Sequence, residues 1–383
     1  MISDDTLYTI TEDGVLRLNR NWKIRGELFL PKTVNSIRVT AIGSSAFEDR
    51  EYLPYVSIPD SVTSIGDRAF SGCKSLTDIA IPDGVVSIGK SAFQDCKNLT
   101  RITLPDSVAS IGIHAFSGCE NLTGISIPSG VASIEMYAFN NCKSLTDVSI
   151  PHGVVSIGAG AFSNCESLTS VSIPHGVASI ADGAFWNCKS LTSISIPDGV
   201  AFIAVHAFLG CKSLSSISIP DSVVSIGIEA FYGCEDLTSV SIPDSVTSIG
   251  NSAFNGCKSL KSISIPSAVT SIADGVFAGC ASLTSVSIPH GVTSIADYAF
   301  SHCKSLTSVS IPDSVTSIGA KAFRGCESLA DIFIPGSVAT IKSRAFERRS
   351  DKPLVIVAPE GSKAEEYVKA FGEAQRLEFR ALA

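Results

Sequence analysis

The chain has 383 residues, of which 45% are hydrophobic and only 17% charged, with a formal net charge of −8. That acidic balance argues against nucleic acid or an anionic membrane surface as partner, and no apolar run reaches membrane-spanning length. The length would ordinarily suggest two or three globular domains, but the sequence copies itself, and a repeat array of any length counts as one.

The opening, MISDDTLYTITEDG, has neither a basic n-region nor an apolar h-region, so the sequence as given is expected to carry no secretory signal. Leu7 to Leu30 alternates apolar and polar residues in short runs (Tyr8-Thr9-Ile10, Val15 to Leu18, Glu27 to Leu30). These predict two or three strands, and residues 1–30 are expected to cap one end. A degenerate repeat over residues 31–58 follows, with Val34, Ile42, Ala46, Phe47, Leu53, Val56 and Ile58 in core roles.

From Pro59 to Pro335 a proline recurs every 23 residues, and a phenylalanine (Phe47 to Phe346) and a cysteine (Cys73 to Cys326) keep the same period. Thirteen such frames run from Pro59 to Val357, so the array spans residues 31–357. A fixed period of this length marks one short supersecondary unit that cannot bury its apolar face alone and stacks on copies of itself. The expected fold is a right-handed solenoid.

In the unit Pro59 to Ile81, the apolar positions are Val62, Ile65, Ala69, Phe70, Cys73, Leu76, Ile79 and Ile81, with Ser, Thr, Asp and Lys mostly between them. Leu76-x-x-Ile79-x-Ile81 reads as a short parallel strand that Pro82 stops by removing a ladder donor. Val62-x-x-Ile65 reads as a second extended piece. The three-and-four spacing of Ala69, Phe70 and Cys73 predicts a helical turn over Asp67 to Ser71. Position 72 and its copies (Gly72, Asp95, Gly118, Asn141, Asn164, Asn187, Gly210, Gly233) are residues that accept a left-handed backbone. Gly66 becomes Glu135, Ala181 and Ala204 elsewhere, so no positive φ is expected there.

The twelve cysteines occupy one core position, which predicts buried, reduced thiols behaving as small hydrophobes. Parallel inward side chains aim poorly at one another for disulfides. His152, His175 and His290 share one repeat position and His114 and His206 another, while His302 takes the left-handed site. Two stacked imidazoles without a third ligand are poor zinc ligands, and no metal site or cofactor is expected. No serine is paired with a distinctive base, and no nucleophile elbow or phosphate-cradling glycine loop occurs, which points away from an enzyme. Lys and Glu alternate irregularly at another position (Lys74, Lys97, Glu120, Lys143, Glu166, Lys189), the pattern of a solvated ladder of weak pairs.

Copies of one unit reveal where identity is not needed. Three positions vary freely, namely those of Asp67, Arg68 and Ser71, and all flank the inward Ala-Phe pair, so they are expected to project outward. In successive copies they align Trp186, Leu209 and Tyr232, with Val205, His206 and Ile228 beside them, and Phe202 stands where nearly every other copy has Ser. Exposed, this is an apolar and aromatic patch of the kind that marks interaction sites. Ile113, His114, Met136 and Tyr137 form a smaller second cluster. On the strand side, Thr-Ser-x-Ser repeats from Thr169 to Ser310, for instance Thr192, Ser193 and Ser195, giving a hydroxyl ladder with little information in it.

The run C-x-x-L-x-x-I-x-I-P-x-x-V-x-x-I-G-x-x-A-F, as in Cys73 to Phe93, resembles the 23-residue leucine-rich repeat of the BspA-like surface proteins. Gly361-Ser362-Lys363-Ala364-Glu365-Glu366-Tyr367 is similar to that family's terminal segment. Residues 358–383 therefore read as a lid: Ser362 with Glu365 forms a capping box, Ala364, Tyr367, Val368 and Phe371 have helical spacing, and Gly372 can end the helix. Repeat arrays need such polar-faced ends to stay soluble.

The resemblance implies a non-enzymatic protein-binding module, a cell-surface or secreted adhesin engaging host matrix or plasma proteins such as fibronectin or fibrinogen. A monomer is favoured. The missing signal and anchor leave an intracellular interaction scaffold open, and the hydroxyl ladder leaves open a carbohydrate- or ice-binding face.

Overall fold

The computed structural model describes residues 7–19 and 25–382. The chain divides into two compact units, residues 1–197 and 198–383. Each is a parallel β-solenoid whose coils repeat every 23 residues.

In the first unit, Tyr8–Ile10 and Val15–Leu18 form an antiparallel hairpin. Its second strand continues in parallel to Ala41–Ile42, Ser64–Ile65, Ser87–Ile88 and Ser110–Ile111. A second sheet runs from Leu28–Phe29 through Tyr55–Ser57 and Asp78–Ala80 to Arg101–Thr103. Each residue pairs with its equivalent one repeat on, as Ile65 does with Ile88 and Ile79 with Ile102, which keeps every inward side chain inward. Both sheets thus begin in the N-terminal segment, of which residues 1–6 and 20–24 lie outside the described residues. In the second unit, one ladder links Ser216–Ser218 to Ser308–Ser310, and another links Ser271–Ile272 to Thr340–Ile341.

The eight apolar positions are buried in almost every coil. Phenylalanine rings stack in a column, with centroids 5.1–5.6 Å apart from Phe47 to Phe185 and 5.3–5.9 Å from Phe208 to Phe346. Beside them all twelve cysteines are buried. Within each unit, thiols donate to the phenylalanine carbonyl of the preceding coil at 3.1–3.3 Å, for instance Cys73 to Phe47 and Cys257 to Phe231. Burial pushes the Cys73, Cys257 and Cys326 thiols up to about 12.

The expected helical turn is not a helix. Arg68 and its equivalents are left-handed, at φ 54° for Arg68, 58° for His114, 55° for Tyr137 and 59° for Tyr298, and so are Gly72 and its equivalents. The segment is a run of overlapping tight turns: Ala69 N–H donates to Gly66, Ser71 to Arg68 and Cys73 to Phe70, each three residues back. The alternate amides, Arg68, Phe70 and Gly72, donate instead to Lys90, Ala92 and Gln94 of the next coil. A right-handed helix would spend every amide within itself; here half of them tie coils together. Gly66 and its copies have ordinary φ, as expected. Their reason is close approach, since a Cβ on Gly89 would sit 2.6 Å from the backbone of the coil before it.

The C-terminal lid is a strand, helix, strand crossover. Leu354–Ala358 pairs in parallel with Asp331–Phe333, and Leu377–Ala381 adds outside it. The helix between them, Lys363–Gln375, is N-capped by Ser362, whose hydroxyl accepts from Glu365 N–H, while Glu365 Oε2 accepts from Gly361 N–H at 2.7 Å. Gly372 does not end the helix. It lies inside it, buried where a Cβ would meet the Leu377 carbonyl at 3.1 Å, and left-handed Arg376 terminates it instead. Phe371 stays exposed, whereas Tyr367 is buried and meets Phe346 edge-on at 5.9 Å, closing the ring column. The Tyr367 hydroxyl donates to Gln375 and accepts from Ala345 N–H.

Candidate binding surfaces

The turn segment presents the variable positions, and the left-handed residue decides how. Side chains at the Arg68 position, with φ near 55°, meet their equivalents on the neighbouring coil, as His114 meets Tyr137 and Lys321 meets Tyr298. In the second unit three columns lie side by side: Val205 with Ile228, His206 with Glu229, and Leu209 with Tyr232. Ile228 is 46% and Tyr232 40% exposed, while Val205, His206 and Leu209 are half-buried. Phe202, 51% exposed, extends the surface from the strand paired with Ser225–Ile226. His206 Nε2 and Glu229 Oε2 lie 3.2 Å apart at its centre.

Trp186 belongs to the first unit, where it is 43% exposed. The secondary cluster is in that unit too. His114 and Tyr137 stack at 5.0 Å with an interplanar angle of 8°, Met136 is exposed, and Ile113 is half-buried. Burial, with Lys90 nearby, holds His114 below the usual histidine range, so a neutral imidazole lies on the tyrosine.

Not every variable position faces solvent. Ser91, Ser117, Ser163 and Ser301 are buried. The Asn140 side chain bridges this interior, accepting from Ser117 at 3.4 Å and donating to Ser163. The hydroxyl ladder is likewise partly spoken for: Thr192 donates to the Thr169 carbonyl at 3.2 Å, and Thr238, Thr284 and Thr307 do the same in the second unit. Serine columns such as Ser216, Ser239 and Ser262 remain exposed. The charge ladder forms, with Glu120 between Lys97 and Lys143 at 3.0 and 2.9 Å, and these solvated pairs are worth little individually.

Two features escaped the sequence reading. Phe29 and Tyr52 are 66% and 60% exposed at the start of the strand face, with Arg25 lying 5.1 Å over the Tyr52 ring. At the other end of the array, a cleft of about 670 Å³ is lined by His302, Lys304, Arg324, Glu327, Arg348 and Arg349 among others. It lies where the chain leaves the repeat path at Arg348-Arg349, in place of the Gly325-Cys326 of the preceding frame. The Arg348 guanidinium replaces the missing backbone donors, giving hydrogen bonds to the Leu329 and Glu327 carbonyls at 2.6 and 2.7 Å. The broken motif, Glu347-Arg348-Arg349, was the available signal.

Stacked parallel coils with a leucine in every turn, variable side chains held on tight turns, and a lid over the last coil define a leucine-rich repeat protein. The chain belongs to the BspA-type leucine-rich repeat family, whose six-copy repeat region matches residues 40–165, 132–261 and 224–352. It is similar to a leucine-rich repeat protein from Bacteroides ovatus ATCC 8483, with 32% identity over all of both chains and a TM-score of 0.86. A leucine rich cell surface protein from Faecalibacterium prausnitzii A2-165 is also 32% identical, over 85% of this chain and 92% of that one, with a TM-score of 0.58. The pneumococcal vaccine antigen PcpA, 20% identical over 98% of this chain and 96% of that one with a TM-score of 0.52, shares the fold. No curated protein matches the chain. Leucine-rich repeats are interaction modules, typically without catalytic activity, and no helix among the described residues is long and apolar enough to cross a membrane.

Proposed function

We propose that this protein is an adhesin-like binding module acting at the cell surface, and that it holds a protein partner on the turn face of the second unit. The observation that carries this reading is the run of Phe202, Ile228 and Tyr232, large apolar side chains left exposed at positions that most other coils give to polar or small residues. Aromatic anchors ringed by half-buried neighbours are the usual composition of a binding hot spot. Val205, His206 and Leu209 complete the surface, while Trp186 and the Ile113, His114, Met136, Tyr137 cluster offer further contact points on the first unit. The cell-surface description of the Faecalibacterium relative supports the location, and host matrix or plasma proteins such as fibronectin or fibrinogen are the partners to test first.

The test is binding of the purified chain to immobilised fibronectin, fibrinogen and other matrix proteins, alongside a Phe202→Ser, Ile228→Ser, Tyr232→Ser variant with unchanged melting. Loss of three anchors is expected to weaken binding at least about a hundredfold. Equal binding by parent and variant removes the turn face as the site, and no binding by either removes the adhesin reading.

A further inference from the structure

The cleft at the end of the array has a chemistry unlike the turn-face surface. Lys304 and Glu327 occupy adjacent copies of the charge-ladder position, where Lys97 and Glu120 pair elsewhere. Here they do not. Glu327 turns its Oε1 to accept from the Arg349 N–H at 3.1 Å, and among the described residues the Lys304 ammonium has no carboxylate partner. Arg324 is held by Glu347 at 2.9 Å. Three buried polar atoms are left without hydrogen bonds: Glu347 Oε2, which has only its ion pair with Arg324, Glu327 Oε2, and Arg348 Nε, the last on a residue only 8% exposed. Buried polar atoms without partners cost about 1–3 kcal/mol each, so a group that supplies those partners is favoured there.

We propose that this cleft is a binding site for an acidic saccharide, a sugar ring bearing a carboxylate of the uronic-acid type. The two requirements are separate. Lys304 and Arg349 call for an anion, and Glu327 Oε2 calls for a hydroxyl donor close to that anion. An inorganic anion meets the first alone and is repelled by Glu327; a neutral sugar meets the second alone. A polyhydroxylated carboxylate meets both, and Arg348 Nε finds an acceptor in a ring or hydroxyl oxygen. The volume lies within the roughly 300–1,000 Å³ typical of small-molecule sites. Gly325 keeps the wall open, since a Cβ there would come within 2.7 Å of His302 Nδ1.

Isothermal titration of the full chain at low salt with glucuronate, glucose, acetate and N-acetylglycine tests this directly. Glucuronate is expected to bind at least about tenfold more tightly than each of the other three, and Arg349→Gln with Lys304→Gln to weaken it by about a hundredfold or more, the effect of losing two charge-assisted hydrogen bonds. Lys212→Gln, in a surface ion pair of the same unit, serves as the control and leaves the affinity unchanged. Binding of an oligogalacturonide as well as free glucuronate identifies a glycan site, and glucuronate alone a site for the free sugar acid. The proposal is overturned if acetate or N-acetylglycine matches glucuronate, if glucuronate does not bind, or if the folded double variant binds as the parent does.

Discussion

A thiol reagent distinguishes a packed cysteine column from a set of accessible thiols. Cys73, Cys257 and Cys326 are raised by burial from an ordinary value of 9.0 to about 12. At pH 8 a thiol titrating at 9 is about 10% thiolate and one titrating at 12 about 0.01%, roughly a thousandfold less of the reactive form. Burial of the sulfur slows attack further. Ellman's reagent added to the folded protein at pH 8 is therefore expected to release almost no chromophore in the time an exposed thiol reacts to completion. The same protein in denaturant should titrate all twelve cysteines. Mass spectrometry of the labelled peptides locates any exception. Rapid labelling of Cys73, Cys257 or Cys326 in the folded state would refute the reasoning, because neither a raised thiol nor a shielded one could react that way.

The same shifts predict alkaline sensitivity: a raised folded-state value leaves stability intact below pH 9 and removes it as pH climbs toward 12. At pH 10 the loss is on the order of 1 kcal/mol for each such cysteine, so denaturant midpoints should fall between pH 8 and 10 and fall less in a variant with alanine at 73, 257 and 326. Ser252→Val puts a β-branched side chain at φ 55° and should cost at least about 1–2 kcal/mol, whereas Ser252→Gly should be close to neutral by thermal melting. Tyr367→Phe strips a buried hydroxyl from between Ala345 and Gln375 and should cost about 1–3 kcal/mol, read as faster amide exchange in the lid; unchanged exchange would show that the lid is held by packing alone. Removing one whole frame, Pro243 to Ile265, should leave a folded protein by circular dichroism, and a molten or aggregated product would contradict independent stacking of the coils.

The core was legible because each apolar position is stated a dozen times over, so chance variation averages out and Val62, Ile65, Phe70 and Leu76 stand clear of their neighbours. The second left-handed position was not legible. Arg68, His114, Tyr137 and Tyr298 are unlike the glycine or asparagine that normally announces positive φ, and the three-and-four spacing of Ala69, Phe70 and Cys73 fits a helix equally well. The traces are three glycines among the copies, Gly160, Gly183 and Gly275, and the absence of valine, isoleucine or threonine from all of them. The variable columns were found from the repeats, but whether a given serine lies out or in depends on what the neighbouring coil places against it, as Asn140 does for Ser117 and Ser163. The C-terminal cleft was hidden for the opposite reason: it arises at Glu347-Arg348-Arg349, where the pattern stops and no other copy states the role of each position.

The alternation of amide directions within a coil has an electrical consequence. In an α-helix all peptide dipoles point one way and sum to about half an elementary charge at each end. Here the Arg68, Phe70 and Gly72 amides point toward the next coil, while those of Thr63, Gly66, Ser75 and Thr77 point toward the preceding one, donating to Thr40, Ile42, Glu51 and Pro54. Opposed contributions of similar size largely cancel around each turn. Adding or losing a repeat thus leaves the polarity of the ends nearly unchanged, and a gene encoding such a chain can vary its copy number without meeting an electrostatic limit on length.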